Sequence, residues 1–160
     1  MNPFFVRDSS GNFVPADDRD VILTGLELAD VPFRRDSTLS NPRAVREYLR
    51  LKAALLQHEV FGLILTDTHY RVIDVVPLFS GTIDGCAVHP REVVKAALKH
   101  NAANVILFHN HPSGVGEPSS ADRQITVRLK ESLALIDVRV VDHLIVREAG
   151  VESFAERGLL

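Results

Sequence analysis

Short apolar runs in this chain alternate with stretches where apolar side chains recur every three or four positions, the pattern of strands alternating with helices. Ser40-Asn41-Pro42 opens the first clear helix, a capping residue followed by proline at the first helical position. Val45, Tyr48, Leu49, Leu55 and Leu56 carry that helix to about Gln57. Val60-Phe61-Gly62-Leu63-Ile64-Leu65 is almost continuously apolar, which suits a buried strand. Thr66-Asp67-Thr68-His69 turns the chain into a second strand from about Tyr70 to Val76, predicting a hairpin. Pro90 begins another helix with Val93, Val94, Ala97 and Leu98 on its apolar face, and Val105–Phe108 is a third strand. A loop of Gly, Pro and Ser leads to a helix from about Ser119, with Ile125, Leu129, Leu133 and Ile136 on one stripe. Two last strands are expected near Val138–Val141 and Leu144–Val146. The sum is an α/β domain, a mixed sheet flanked by helices.

Residues 1–40 read differently. They carry Pro3, Pro15 and Pro32, the turn signal Ser9-Ser10-Gly11-Asn12 and the acidic cluster Asp17-Asp18-Arg19-Asp20. Phe4–Val6 and Val21–Leu23 are the two candidate strands there. The expected division is a partly ordered acidic arm over 1–40 and one domain over 41–160. A chain of 160 residues buries roughly two-thirds of its unfolded surface, so a metal is not needed merely to hold the fold.

The net charge is −3, and all of the acidic excess lies in the first forty residues. From Asn41 onward acids and bases balance, which argues against a strong phosphate-neutralising surface; nucleic acid as a partner is not supported by charge. Cys86 is the only cysteine, so neither a disulfide within the chain nor a thiolate zinc cage can form, and Cys86 reads as a packed thiol. No apolar run reaches the ~20 residues of a membrane span, and Met1–Asp8 has no signal-peptide pattern. Cytoplasmic localisation, with no membrane partner, is the expectation.

The chemistry concentrates after the third strand. His109 and His111 are two apart at its end, so both imidazoles emerge on one face. Asp122 falls three residues before Ile125, on the inward stripe of the next helix, where a lone carboxylate is costly unless something compensates it. Two imidazoles and a carboxylate would leave a fourth tetrahedral position open for water, as in a catalytic zinc site. The same donors suit iron(II), manganese or nickel. Ser119 and Asp122 also have the spacing of a simple helix cap, and capping is compatible with ligation. His58, His69 and His100 read as solvated surface groups, and His89 as a turn residue. Asp142-His143, between the two late strands, is either structural or orients groups behind the ligands.

His-x-His, seven residues, Ser, two residues, Asp resembles the JAMM (MPN+) metallopeptidase motif, here His109, His111, Ser119 and Asp122. His109-Asn110-His111-Pro112-Ser113-Gly114, Pro90-Arg91-Glu92-Val93-Val94, Gly81-Thr82 and Asp142-His143 resemble the RadC-like branch of that family. The likeness runs from about Ser40 to the C-terminus. It implies an MPN (JAB)-like fold, with sheet and helices arranged as in cytidine deaminases. It also implies one zinc per chain held by His109, His111 and Asp122, with Ser119 bonding the bound water or the developing oxyanion. The family's general base is a Glu placed earlier in the chain. Glu59, between the first helix and the first buried strand, fits best, and Glu92 and Glu117 compete with it.

The leading function so implied is a zinc hydrolase of peptide or isopeptide bonds acting on a peptide or protein substrate. A RadC-type role in DNA repair or processing is the second. Longer family members carry an N-terminal helix-hairpin-helix region that this sequence lacks, and its residues 1–40 are acidic. A metal-binding interaction module without turnover is the third. No oligomeric state is implied.

Overall fold

The computed structural model describes residues 4–29, 37–53, 56, 58–81, 87–111, 117–147 and 149–160. The chain order is β1 (Phe5–Arg7), β2 (Phe13–Pro15), α1 (Asp18–Ala29), α2 (Pro42–Ala53), β3 (Val60–Thr66) and β4 (Val72–Ser80). It continues with α3 (Pro90–Lys99), β5 (Asn104–Asn110), α4 (Ser120–Ala134), β6 (Arg139–Arg147) and β7 (Gly150–Ser153). The main sheet runs β4-β3-β5-β6-β7. Only β5 and β6 pair in parallel, joined through α4, so the sheet is mixed as the alternating pattern predicts.

Every residue of β3 is buried, which explains its unbroken apolar run: helices cover both faces of the sheet. Phe61, Leu63, Leu65, Val105 and Leu107 pack with Val93, Ala97, Leu129 and Leu133, so this face lies under α3 and α4. Ile64, Val72, Leu144 and Val146 pack with Val45, Tyr48 and Leu49 of α2 on the other. Gly62 is the close-approach point between the central strands. It sits opposite Phe108, and a Cβ built there would lie 2.3 Å from Phe108 Cζ. Gly62→Ala should therefore cost about 1–3 kcal/mol of stability as the ring is displaced, read as a lower urea midpoint at unchanged m-value.

Three expectations need correcting. Val21–Leu23 is not a strand but part of α1, an acid-started helix against α2, where Leu26 is buried and a Cβ built on Gly25 would lie 3.8 Å from Leu51 Cδ2. Asp18 and Asp20 of the acidic cluster lie in its first turn, complementing the helix dipole. β4 runs on past Val76 to Ser80 because it is an edge strand, where the missing N–H of Pro77 is tolerated beside a register shift. Val138–Val141 and Leu144–Val146 are not two strands; most of this stretch is the single strand β6, and β7 follows it. The break in pattern is a bulge, since Val105 pairs with Val140 but Ile106 with Asp142. The inserted Val141 shifts the alternation so that His143 faces α4.

The hairpin β1–β2 includes the expected Phe4–Val6 stretch in part. Asn41, followed by Pro42 at the first helical position, caps α2, accepting a bond from Arg43 N at 3.0 Å. Of the predicted extension of that helix, Leu55 and Gln57 lie outside the described residues, as do Cys86 and Pro112-Ser113-Gly114, while Leu56 lies beyond the end of α2 with its N–H bonded to Ala53 O at 3.0 Å. Among the described residues no helix is long and apolar enough to cross a membrane.

Candidate metal centre

The centre forms where β3 begins, β5 ends and α4 starts. His109 and Asn110 close β5, and His111 stays on the ladder through its N–H to Val146 O, 2.8 Å. Strand alternation puts both imidazoles on the α4 side, as expected, with Nε2 of His109 2.7 Å from Nε2 of His111. Asp122 is buried on the inward stripe of α4 with Thr126, Leu129 and Leu133; Ile125 and Ile136 lie at its margin. Asp122 Oδ1 is 3.1 Å from His109 Nε2, and its Oδ2 is 3.7 Å from His111 Nε2. Two donors each ~2.1 Å from a tetrahedral ion stand about 3.4 Å apart, so this spread of separations brackets what zinc requires.

Ser119 is the N-cap of α4, and the capping box is real. Its Oγ accepts from Asp122 N at 3.1 Å, while Asp122 Oδ2 accepts from Ser119 N and from Ser119 Oγ, both at 2.7 Å. The cap thus holds Oδ2 and leaves Oδ1 aimed at His109. Capping and site-building are the same interaction.

Glu59 enters from the loop before β3. Glu59, His109 and His111 each present one donor atom, all within 4.8 Å of one another. Asn110 positions this segment: its Oδ1 accepts from Val60 N at 2.8 Å and its Nδ2 donates to His58 O at 3.0 Å. The alternation that sends His109 and His111 toward α4 sends the residue between them to grip the Glu59 loop. Asn110→Leu should leave the buried Val60 N–H unpaired and cost about 1–3 kcal/mol in urea unfolding. The competing acids stand elsewhere. Glu92 is exposed and paired with Lys95, and Glu117 is exposed and paired with Arg157.

The two carboxylates differ in electrostatics. Burial pushes the Glu59 carboxyl up; His109 and His111 pull it partly back, and Asp122 adds to the rise. Burial would also raise Asp122, but the neighbouring His109 and His111 imidazoles and the hydrogen bonds from Ser119 outweigh it and hold it far below the usual carboxylate range. The hydrogen bond with Asp122 raises the His111 imidazole above its ordinary value, against the opposing effect of burial. Asp122 thus stays ionised to lower pH than a free carboxylate, while Glu59 takes up a proton more readily than one.

Behind the ligands the structure places His143, for which the sequence left an orienting role open beside a structural one, and Thr126, which sequence patterning did not single out. His143, fully buried, meets His109 Nδ1 through its Nε2 at 2.9 Å, and Thr126 Oγ1 lies 2.6 Å from His143 Nδ1. Burial holds the His143 imidazole well below its ordinary value, with His109 adding to that effect, so it is neutral. Thr126 four residues after Asp122 was the available signal, since that spacing shares a helix face. Of the other histidines, His58, His69 and His89 are exposed, His89 at the N-cap of α3 without a side-chain cap bond. His100 is not simply solvated: its Nδ1 lies 2.8 Å from Ala96 O and its Nε2 3.2 Å from Asp74.

Residues 39–159 match the RadC-like JAB domain. A protein named "UPF0758 protein" from Stutzerimonas stutzeri (strain A1501) is 58% identical over 125 residues, covering 78% of this chain and 56% of that protein. Proteins of the same name from Azotobacter vinelandii and Leptothrix cholodnii are 54% and 58% identical, over 79% and 75% of this chain and 57% and 54% of theirs. The chain spans a little over half the length of these curated relatives. With its mixed sheet, its flanking helices and its match over residues 39–159, the chain belongs to the RadC-like JAB domain family.

Proposed function

We propose that this protein is a zinc-dependent hydrolase of peptide or isopeptide bonds, with Glu59 as general base. The observation that carries the reading is that Glu59, His109 and His111 bring one donor atom each within 4.8 Å of one another, with the Asp122 carboxylate 3.1 and 3.7 Å from the two imidazoles. His109, His111 and Asp122 would hold the metal, since the Asp122 carboxyl is held below its usual range and the Glu59 carboxyl above it, which suits Asp122 to ligation and Glu59 to proton transfer. When bound, zinc supplies Lewis acidity and a water of pKa about 7. Glu59 takes the proton of the attacking water as it adds to the scissile carbonyl, then hands it to the leaving amine. Ser119 Oγ, at the mouth of α4, donates to the developing oxyanion by turning from Asp122 Oδ2.

Arg147 lies close enough to His111 to oppose its protonation, yet it is ion-paired with Glu152. The test is elemental analysis of zinc-reconstituted protein beside Asp122→Ala, followed by a library of peptides and isopeptide-linked peptides. About one zinc per chain, lost in the variant, with cleavage of at least one library member, is the expected result. Failure to retain zinc overturns the reading, and zinc without cleavage turns it toward an interaction module.

A further inference from the structure

We propose that His143 and Thr126 are positioning residues that lock His109 in the tautomer whose Nε2 lone pair points into the metal centre. The inference rests on the metal reading above for its purpose, but its geometry stands alone. Thr126 Oγ1 lies 2.5 Å from the main-chain oxygen of Asp122, which can only accept, so the hydroxyl hydrogen is committed there. At 2.6 Å from His143 Nδ1, the same oxygen must then accept, and Nδ1 carries the hydrogen. The His143 ring is fully buried between Phe61 and Phe154, and no carboxylate touches either ring nitrogen among the described residues. Its Nε2 is therefore bare and accepts from His109 Nδ1–H at 2.9 Å.

The consequence falls on the far side of the His109 ring. Nε2 has no hydrogen and faces His111 Nε2 at 2.7 Å and Asp122 Oδ1 at 3.1 Å. A lone pair set against a carboxylate is unfavourable unless a cation, proton or metal, lies between them. The relay begins at the backbone of one ligand, Asp122, and ends at the ring of another, His109, tying α4, β6 and β5 together. A ligating histidine ordinarily donates its second N–H to a carboxylate, carbonyl or water, and losing that partner typically weakens metal binding by about 10–100-fold. Here the partner is a second imidazole, whose own direction is set by Thr126. The bulge at Val141 is what turns His143 rather than Asp142 toward α4. Asp142 then anchors the strand from the other side, accepting from Ser153 Oγ at 2.6 Å and Ala155 N at 2.9 Å.

The test uses Thr126→Val, which keeps the shape and removes the hydroxyl, with Thr126→Ser as the rescue. Zinc affinity is measured by chelator competition, and the His109 tautomer by ¹⁵N NMR of the metal-free protein. Expected are a 10–100-fold loss of zinc affinity in Thr126→Val and recovery in Thr126→Ser. His109 should be protonated on Nδ1 in the wild type and mixed in Thr126→Val. Wild-type affinity in a folded Thr126→Val protein overturns the proposal, as does an Nε2-protonated His109 in the wild type. If the wild type binds no zinc, the metal reading fails. The tautomer still decides the relay in that case.

Discussion

Replacing Glu59 by Gln should leave about one zinc per chain while cutting hydrolysis about 10²–10⁴-fold, the usual contribution of a positioned general base. Gln preserves size and the loop's packing but cannot accept the water's proton. The loop itself is held through backbone atoms, Val60 N and His58 O to Asn110 and Glu59 O to Gly81 N at 2.8 Å, none of which the substitution touches. A variant with wild-type rate would remove Glu59 as base. Neither of the competing acids stands ready, because Glu92 is ion-paired with Lys95 and Glu117 with Arg157.

The same experiment separates two arrangements of the four groups. Glu59 lies near enough to both imidazoles to serve as a ligand itself. If it were one, Glu59→Gln would lose metal along with activity, whereas Asp122→Asn would keep it. Electrostatics favours the opposite outcome. The carboxylate held far below its usual range is Asp122, and the one raised toward holding a proton is Glu59. A base must release and regain a proton in each cycle, which the raised group does more readily.

Much of this was legible from residue spacing. Period-two alternation put His109 and His111 on one face, and the helical period put Asp122 on the inward stripe, because both are local consequences of backbone geometry. The continuous apolar run of β3 announced a strand covered on both sides. What failed was non-local. Val21–Leu23 has strand propensity, but the acidic N-terminal turn and the packing of α1 on α2, with Leu26 buried, make it helix. Asp142-His143 interrupts an apolar stretch and so imitated a turn, yet each polar group is satisfied from another element: Asp142 by Ser153, His143 by His109 and Thr126. A buried polar pair can sit inside a strand only when such partners exist, and partners distant in sequence leave no local trace. The role of Asn110, reaching back to His58 and Val60, was invisible for the same reason.

Asp122→Asn should abolish zinc binding and change stability in a way that depends on pH. With zinc at a hundred times its dissociation constant the wild type gains about 2.7 kcal/mol, and the variant none, read as a zinc-dependent rise in Tm confined to the wild type. Without metal, the difference is set by the pairing of Asp122 with His111. The Asp122 carboxyl is depressed in the folded state, so its contribution is fully present above the unfolded carboxylate value, about 3.9, and is lost as pH falls below it. The His111 imidazole is raised, so its contribution is fully present below the unfolded value, about 6.5, and is lost as pH rises through the raised one. Both conditions hold only between about pH 4 and 6.5, where the metal-free wild type should exceed Asp122→Asn by its widest margin. Zinc reverses the trend on the alkaline side, because it replaces the proton on the imidazoles and binds more tightly as they deprotonate. Urea unfolding at pH 5 and pH 8, each with zinc and with chelator, would expose this crossover. A margin in chelator that is no larger at pH 5 than at pH 8 would mean that Asp122 and His111 are not coupled as the geometry requires.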